Sequence, residues 1–206
     1  MKVWYPANNY AIIDMLESGQ EMRNGIIVPE ISKGEPRWGL IRYVGDGVPD
    51  YNAEIHKPEW PKAGQLAYVM NHGRHHIPVW ENEELKYLDI ASILDILAVW
   101  DEEKMELIPL GSNLEVKAQE APTQMNGLYL PDSQRPLSGF GLVEAVGKGW
   151  RGVNGKPIEF QVKVGDTIAF RPLEIMVVDM RPLGLDETRE LVTHGSVLAV
   201  LKDVEE

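Results

Sequence analysis

Two stretches of this chain recur at one fixed spacing. Met22-Arg-Asn-Gly25-Ile-Ile-Val-Pro29 returns as Gln124-Met-Asn-Gly127-Leu-Tyr-Leu-Pro131, and Trp38-Gly39-Leu-Ile-Arg-Tyr-Val-Gly45-Asp-Gly47 returns as Phe140-Gly141-Leu-Val-Glu-Ala-Val-Gly147-Lys-Gly149. Gly25 and Gly127 are 102 residues apart, and so are Gly39 and Gly141. A register shared by separate motifs marks a tandem repeat, so the 206 residues are expected to form two domains, 1–101 and 104–206. A length of about 100 residues suits one small core per copy.

Inside each copy, short apolar runs alternate with Gly, Pro, Asn and Asp, and no long segment keeps a helical period. The expectation is an all-β fold. Strands are predicted at Tyr10–Leu16, Gly39–Val44, Gln65–Met70 and Ile93–Val99, and again at Asn113–Lys117, Gly141–Val146, Thr167–Phe170 and Val197–Leu201. Short strands at this density close into a sandwich or small barrel, which hides their edges. Trp100-Asp-Glu-Glu-Lys104 is the expected linker.

Composition narrows the chemistry. With no cysteine, disulfides, thiolate nucleophiles and cysteine-ligated zinc are excluded. The net charge of −12 is spread over both copies, with nine basic against seventeen acidic residues up to Glu103 and eleven against fifteen from Lys104 onward. Nucleic acid is therefore not an expected partner. No apolar run is long enough for a membrane span, and Met1-Lys-Val leads straight into foldable sequence without a signal or transit peptide, so a cytoplasmic location is expected.

Two segments per copy look unlike core. The connections 17–36 and 118–137 are long and polar, and such loops are usually functional. Each nevertheless holds one apolar tripeptide between a Gly and a Pro: Ile26, Ile27 and Val28 between Gly25 and Pro29, and Leu128, Tyr129 and Leu130 between Gly127 and Pro131. An apolar plug in a polar loop has the form of a docking peptide. The second unusual pair, Val48 to Trp60 and Trp150 to Phe160, follows the Val-Gly-x-Gly turn and is expected to protrude.

These residues resemble the chaperonin-10 family of GroES-like co-chaperonins. In the second copy the resemblance runs through Ile108-Pro109-Leu110, Asn126-Gly127-Leu-Tyr-Leu-Pro131, Gly141 to Gly149, Val162-Lys-Val-Gly165-Asp-Thr-Ile-Ala-Phe170 and Gly195-Ser-Val-Leu-Ala-Val-Leu201. The first copy is more divergent. Pro6-Ala-Asn-Asn-Tyr10, Gly25 to Pro29, Gly39 to Gly47 and Ser92-Ile-Leu-Asp-Ile-Leu97 fit, whereas Pro61-Lys-Ala-Gly64-Gln keeps the Lys-x-Gly turn and loses its Asp.

The resemblance implies two tandem GroES-like irregular β-barrels and head-to-tail self-association into a ring or dome. It implies that Ile26, Ile27, Val28, Leu128, Tyr129 and Leu130 contact a GroEL-like chaperonin, with Gly25, Pro29, Gly127 and Pro131 as loop hinges. The partner chaperonin would carry the ATP or ADP, and unfolded client proteins would occupy the chamber under the lid. Tyr129 departs from the family's usual aliphatic centre. The segments 48–60 and 150–160 would be unlike roof elements. Tandem copies also occur in plastid co-chaperonins, so a bacterial source, a phage acting in its host's cytoplasm, or a mature plastid protein in the stroma would all fit. The alternative is a ring-forming structural or adaptor protein that kept the barrel without capping a chaperonin.

Competing chemistry is weaker. Gly147-Lys-Gly149-Trp-Arg-Gly152 satisfies G-x-G-x-x-G after a strand, but Val153-Asn-Gly-Lys-Pro157 cannot open a phosphate-binding helix. His72, His75 and His76 could ligate a metal, yet neighbouring strand residues point to opposite faces and the three cannot easily converge. No nucleophile elbow, H-E-x-x-H or P-loop is present. Neither a cofactor nor catalysis is expected.

Overall fold

The computed structural model describes residues 4–16, 22–23, 26–27, 36–49, 55–56, 61–70, 75–81, 83–119, 124–125, 128–129, 139–148 and 160–202. Among these the fold is all-β, and the helical elements are 3₁₀ turns of three residues. The first copy contributes β1 (Tyr10–Met15), β2 (Met22–Arg23), β3 (Ile26–Ile27), β4 (Arg37–Val44), β5 (Val48–Pro49), β6 (Ile55–His56), β7 (Leu66–Val69), β8 (His75–Glu81), β9 (Glu84–Ser92) and β10 (Ile96–Asp101). The second contributes β11 (Glu106–Pro109), β12 (Asn113–Ala118), β13 (Gln124–Met125), β14 (Leu128–Tyr129), β15 (Phe140–Val146), β16 (Thr167–Phe170), β17 (Met176–Asp179), β18 (Thr188–Thr193) and β19 (Val197–Val200).

Two antiparallel sheets carry the structure, ordered β11-β10-β7-β4-β1-β9-β8 and β17-β18-β12-β15-β16-β19. Six strands appear in the same order in both, β8-β9-β1-β4-β7-β10 answering β17-β18-β12-β15-β16-β19, as two copies of one GroES-like barrel require. The irregularities repeat as well. A bulge between Ile12 and Ile13 in the β1–β4 pair matches one between Glu115 and Val116 in the β12–β15 pair, so Ile13 faces Ile41 as Val116 faces Val143.

The strands form where apolar residues alternate. Ala11, Ile13, Ile41, Ala67, Val69, Ala91, Ile96, Val99, Ile108 and Leu110 make one core, and Leu114, Val116, Val143, Val162, Ile168, Phe170 and Val192 make the other. Full burial of each larger aliphatic side chain contributes roughly 1.5–3 kcal/mol. The repeated Gly39 and Gly141 have a packing cause. A Cβ on Gly39 would collide with Ile13 and Met15, and one on Gly141 would collide with Val116 and lie 2.9 Å from the Lys117 carbonyl oxygen. Gly64 and Gly165 occupy matching turns at φ +88° and +89°, which a side chain would strain.

Three sequence expectations are corrected. Ile93–Asp95 is a 3₁₀ turn rather than the start of a strand; the Leu94 N–H donates to the Ser92 hydroxyl at 3.2 Å, and the strand begins at Ile96 and runs to Asp101. The pairs β8–β9 and β17–β18 extend both sheets although no strand was expected there. The linker is also more ordered than a charged step. The Asp101 carboxylate accepts the Glu103 and Lys104 N–H groups at 3.1 and 3.2 Å, a side-chain-stabilised turn that sends the chain back as β11 along β10. Accordingly β11 belongs to the first sheet. The described residues divide into two compact units, one holding those up to Gly111 with Lys148, the other Ser112–Gly147 and those from Phe160 on.

Candidate functional site

Both long connections contain a two-stranded hairpin at the same place in the repeat. In the first copy Met22 pairs with Ile27 and Arg23 with Ile26; in the second Gln124 pairs with Tyr129 and Met125 with Leu128. Each register leaves a two-residue connection, and the sequence supplies Asn24-Gly25 and Asn126-Gly127 for it, the dipeptide that best fits a two-residue hairpin turn. That Asn-Gly signal was legible in the sequence but is not part of the tripeptide reading. Of the expected contact residues, Ile26, Ile27, Leu128 and Tyr129 lie on β3 and β14. Val28, Leu130 and the hinges Gly25, Pro29, Gly127 and Pro131 lie outside the described residues.

A second expected element is present in part. Val48 pairs with His56 and Pro49 with Ile55, making a hairpin of β5 and β6 after the first Val-Gly-x-Gly turn. Residues 57–60, Trp60 included, and 149–159 lie outside the described residues.

The turn that lost its Asp keeps its geometry. In the second copy the Lys163 N–H donates to Asp166 Oδ2 at 2.9 Å, and in the first the Lys62 N–H donates to Gln65 Oε1 at 2.8 Å. Gln65 thus supplies the same acceptor without a charge. Asp166 also binds the Lys202 ammonium at 3.1 Å. The Lys163 N–H first, then Lys202, hold the Asp166 carboxyl below its ordinary range.

Among the described residues of the second copy, one charged side chain is buried. Glu115 is buried, Arg189 Nη1 lies 3.0 Å from its Oε1, and Arg189 also binds Glu187 at 2.9 Å. Burial pushes the Glu115 carboxyl up against the opposing pull of Arg189. Elsewhere in this copy, the buried Ser196 hydroxyl donates to Glu174 at 2.5 Å and, with Arg171, holds Glu174 below the usual carboxylate range.

The low-ranking chemistries meet concrete geometry. His75 and His76 are consecutive on β8, opposite Ile90 and Asp89, so they face opposite sides; the His76 Nδ1 is 2.6 Å from Asp89 Oδ1. His72 lies outside the described residues. Among the described residues no group of three or more His, Cys, Asp or Glu could hold a metal. Within the Gly147–Gly152 motif, Lys148 forms a parallel bridge to Leu110, donating to the Pro109 carbonyl at 3.0 Å and accepting from the Gly111 N–H at 2.9 Å. Its backbone is thus committed to strand pairing.

Sheet order, matched bulges and paired hairpins define a tandem repeat of one all-β fold. Residues 106–201 match the family model described as "Chaperonin 10 Kd subunit", and this segment is similar to that family. Its similar proteins include the co-chaperonin GroES of Rickettsia prowazekii, 33% identical over 63 residues, which are 31% of this chain and 66% of that protein. The co-chaperonin GroES of Citrifermentans bemidjiense is 40% identical over 54 residues, 26% of this chain and 56% of the relative. That of Bifidobacterium longum is 45% identical over 56 residues, 27% and 58% respectively. The chain therefore spans roughly three-fifths of the length of these curated relatives.

Proposed function

We propose that this chain is a non-catalytic co-chaperonin, a tandem lid that caps a GroEL-like chaperonin in its nucleotide-bound state and encloses client proteins. One observation carries this reading: in a chain whose residues 106–201 match the chaperonin-10 model, both copies place a hairpin with an apolar second strand at the same point of the repeat, β2–β3 and β13–β14. The docking residues are Ile26, Ile27 and Val28 in one copy and Leu128, Tyr129 and Leu130 in the other, with Gly25, Pro29, Gly127 and Pro131 as hinges. Burying three such side chains contributes roughly 1.5–3 kcal/mol each, against about 1–2 kcal/mol per residue for ordering the loop. A single loop barely holds, and several loops on one assembly hold by avidity while permitting release. The test is Ile27→Asp with Tyr129→Asp, which should abolish chaperonin binding and leave the chain's own assembly intact. Binding that survives both changes would favour a ring-forming adaptor instead.

The same reading gives the lid a way to assemble. On the first sheet, β10 is covered by β11; at the corresponding edge of the second, β19 is the outermost strand among the described residues. Val99 pairs with Ala67 as Val200 pairs with Ile168, so Trp100 corresponds to Leu201. Trp100 is buried, whereas Leu201 is 72% exposed. At the other end, Trp4 and Tyr5, which precede Pro6 as Leu107 and Ile108 precede Pro109, are exposed where Leu107 and Ile108 are buried. Residues 4–6 of one chain would pair along β19 of the next, head to tail. Each chain then fills two consecutive positions, giving the closed assembly an even number of domains. We place this lid in the compartment that holds its chaperonin, the cytoplasm in a bacterial setting.

A further inference from the structure

The β8–β9 hairpin carries a surface that neither core uses. Pairing of β9 with β1 stops at Asp89 opposite Ile13, while β8 and β9 continue together to Glu81 opposite Glu84. Residues directly opposite on an antiparallel pair share a face, and so do residues two apart along a strand. Pro78 opposite Tyr87 and Trp80 opposite Leu85 therefore form one stripe. Trp80 is 69% exposed, Tyr87 63% and Leu85 44%.

The repeat fold does not need this stripe. His76 opposite Asp89 is matched in the second copy by Val177 opposite Glu190, and Pro78 opposite Tyr87 by Asp179 opposite Thr188. At the second of these positions the second copy is polar, and Asp179 is tied to Arg181 at 2.7 Å. Contiguous exposed aromatic surface confined to one copy marks an interaction site.

Its surroundings specify the occupant. From residue 75 to 92 the sequence has four carboxylates, Glu81, Glu83, Glu84 and Asp89, and one ammonium, Lys86. Lys86 is engaged by Glu81 at 3.4 Å. Among the described residues Glu83 and Glu84 have no cationic partner, so the tip beyond Trp80 and Leu85 is left negative. Although β8 is the edge strand among the described residues, backbone addition is disfavoured because it contains Pro78 and already uses the Pro78 carbonyl to accept the Trp4 indole N–H at 3.1 Å. Binding must go through side chains.

We propose that the Pro78, Trp80, Leu85 and Tyr87 stripe binds a polypeptide segment in which Arg or Lys alternates with apolar residues. The apolar side chains lie along the stripe, a guanidinium or ammonium stacks on the Trp80 or Tyr87 ring, and a neighbouring cation meets Glu83 and Glu84. This site is independent of the β2–β3 and β13–β14 hairpins and needs no chaperonin.

The test titrates the full chain, without chaperonin, into a short fluorescein-labelled peptide alternating Arg and Leu, and into its Glu–Leu counterpart. The Arg–Leu peptide should bind saturably and more weakly at high salt. Its dissociation constant should rise about tenfold or more in Trp80→Ser with Tyr87→Ser, and also in Glu83→Lys with Glu84→Lys, whose changes at the hairpin tip leave the sheet register untouched. No binding, equal binding of the Glu–Leu peptide, or binding unchanged in both variants would overturn the proposal. So would an aromatic variant that loses self-association in sedimentation, since that would assign the stripe to a second copy of the chain.

Discussion

Trp100 on β10 lies opposite Leu107 on β11, both of them buried, and this pair closes the last strand of the first copy with the first strand of the second. Trp100→Ala should therefore destabilise the chain by about 3–5 kcal/mol. Leu201→Ala, at the corresponding but exposed position, should change stability by about 0.5 kcal/mol or less, while weakening self-association. Denaturant unfolding and sedimentation of the two variants separate these effects. Equal destabilisation would mean that Leu201 is as covered within the chain as Trp100, and would contradict this account.

Gly141→Ala should cost about 1–3 kcal/mol, as overpacking in a closed strand pair does. Its added methyl meets the Val116 side chain and the immobile Lys117 carbonyl. Gly39→Ala should cost less, because its nearest neighbours are the side-chain ends of Ile13 and Met15. Thermal unfolding of the two variants gives the ordering.

Removing the cation beside Glu115 should have a pH-dependent cost. Burial raises the folded-state pKa of Glu115, so its own contribution favours the fold below its unfolded pKa and is lost as pH rises through the folded value. Whenever Glu115 is ionised it relies on Arg189. Arg189→Leu should thus destabilise by about 3 kcal/mol at neutral pH, the low end for a broken buried pair because Arg189 is partly exposed. The loss should shrink as pH falls and Glu115 takes up a proton. A cost that is flat with pH would contradict this account.

The Lys163–Asp166 turn predicts the opposite sign. Asp166 titrates below its ordinary range, so its contribution is present above the unfolded pKa and is lost as pH falls through the folded one. Asp166→Asn keeps an acceptor for the Lys163 N–H, as the uncharged Gln65 does for the Lys62 N–H in the matching turn, and should flatten the acid limb of the stability profile. An unchanged acid limb would assign that limb to the other depressed carboxylates, Glu174 and Asp179.

What was legible in the sequence follows physical lines. The core strands carry alternating apolar residues, and the repeated glycines sit where a Cβ would collide, so the sheet centre could be read directly. The β8–β9 hairpin was obscured because the half-buried Ile77 and Val79 alternate with Pro78 and Trp80 rather than with polar residues, so no polar–apolar period shows; its two histidines and Pro78 do not read as a strand. Membership of β11 in the first sheet was equally hidden. Strand exchange across a repeat boundary depends on pairing between separate segments, whereas the sequence register records only the copies. For the β2–β3 and β13–β14 hairpins, the tripeptides were visible as apolar islands, and the Asn-Gly pairs were the unused signal for their hairpin form.

Native mass spectrometry of this chain with a bacterial chaperonin, with and without nucleotide, tests the central claim most directly. The account predicts a complex that forms only with nucleotide, is lost in the Ile27→Asp, Tyr129→Asp variant, and has a cap whose mass corresponds to an even number of domains in a closed assembly. A stable oligomer of the chain that ignores the chaperonin in every nucleotide state would contradict it.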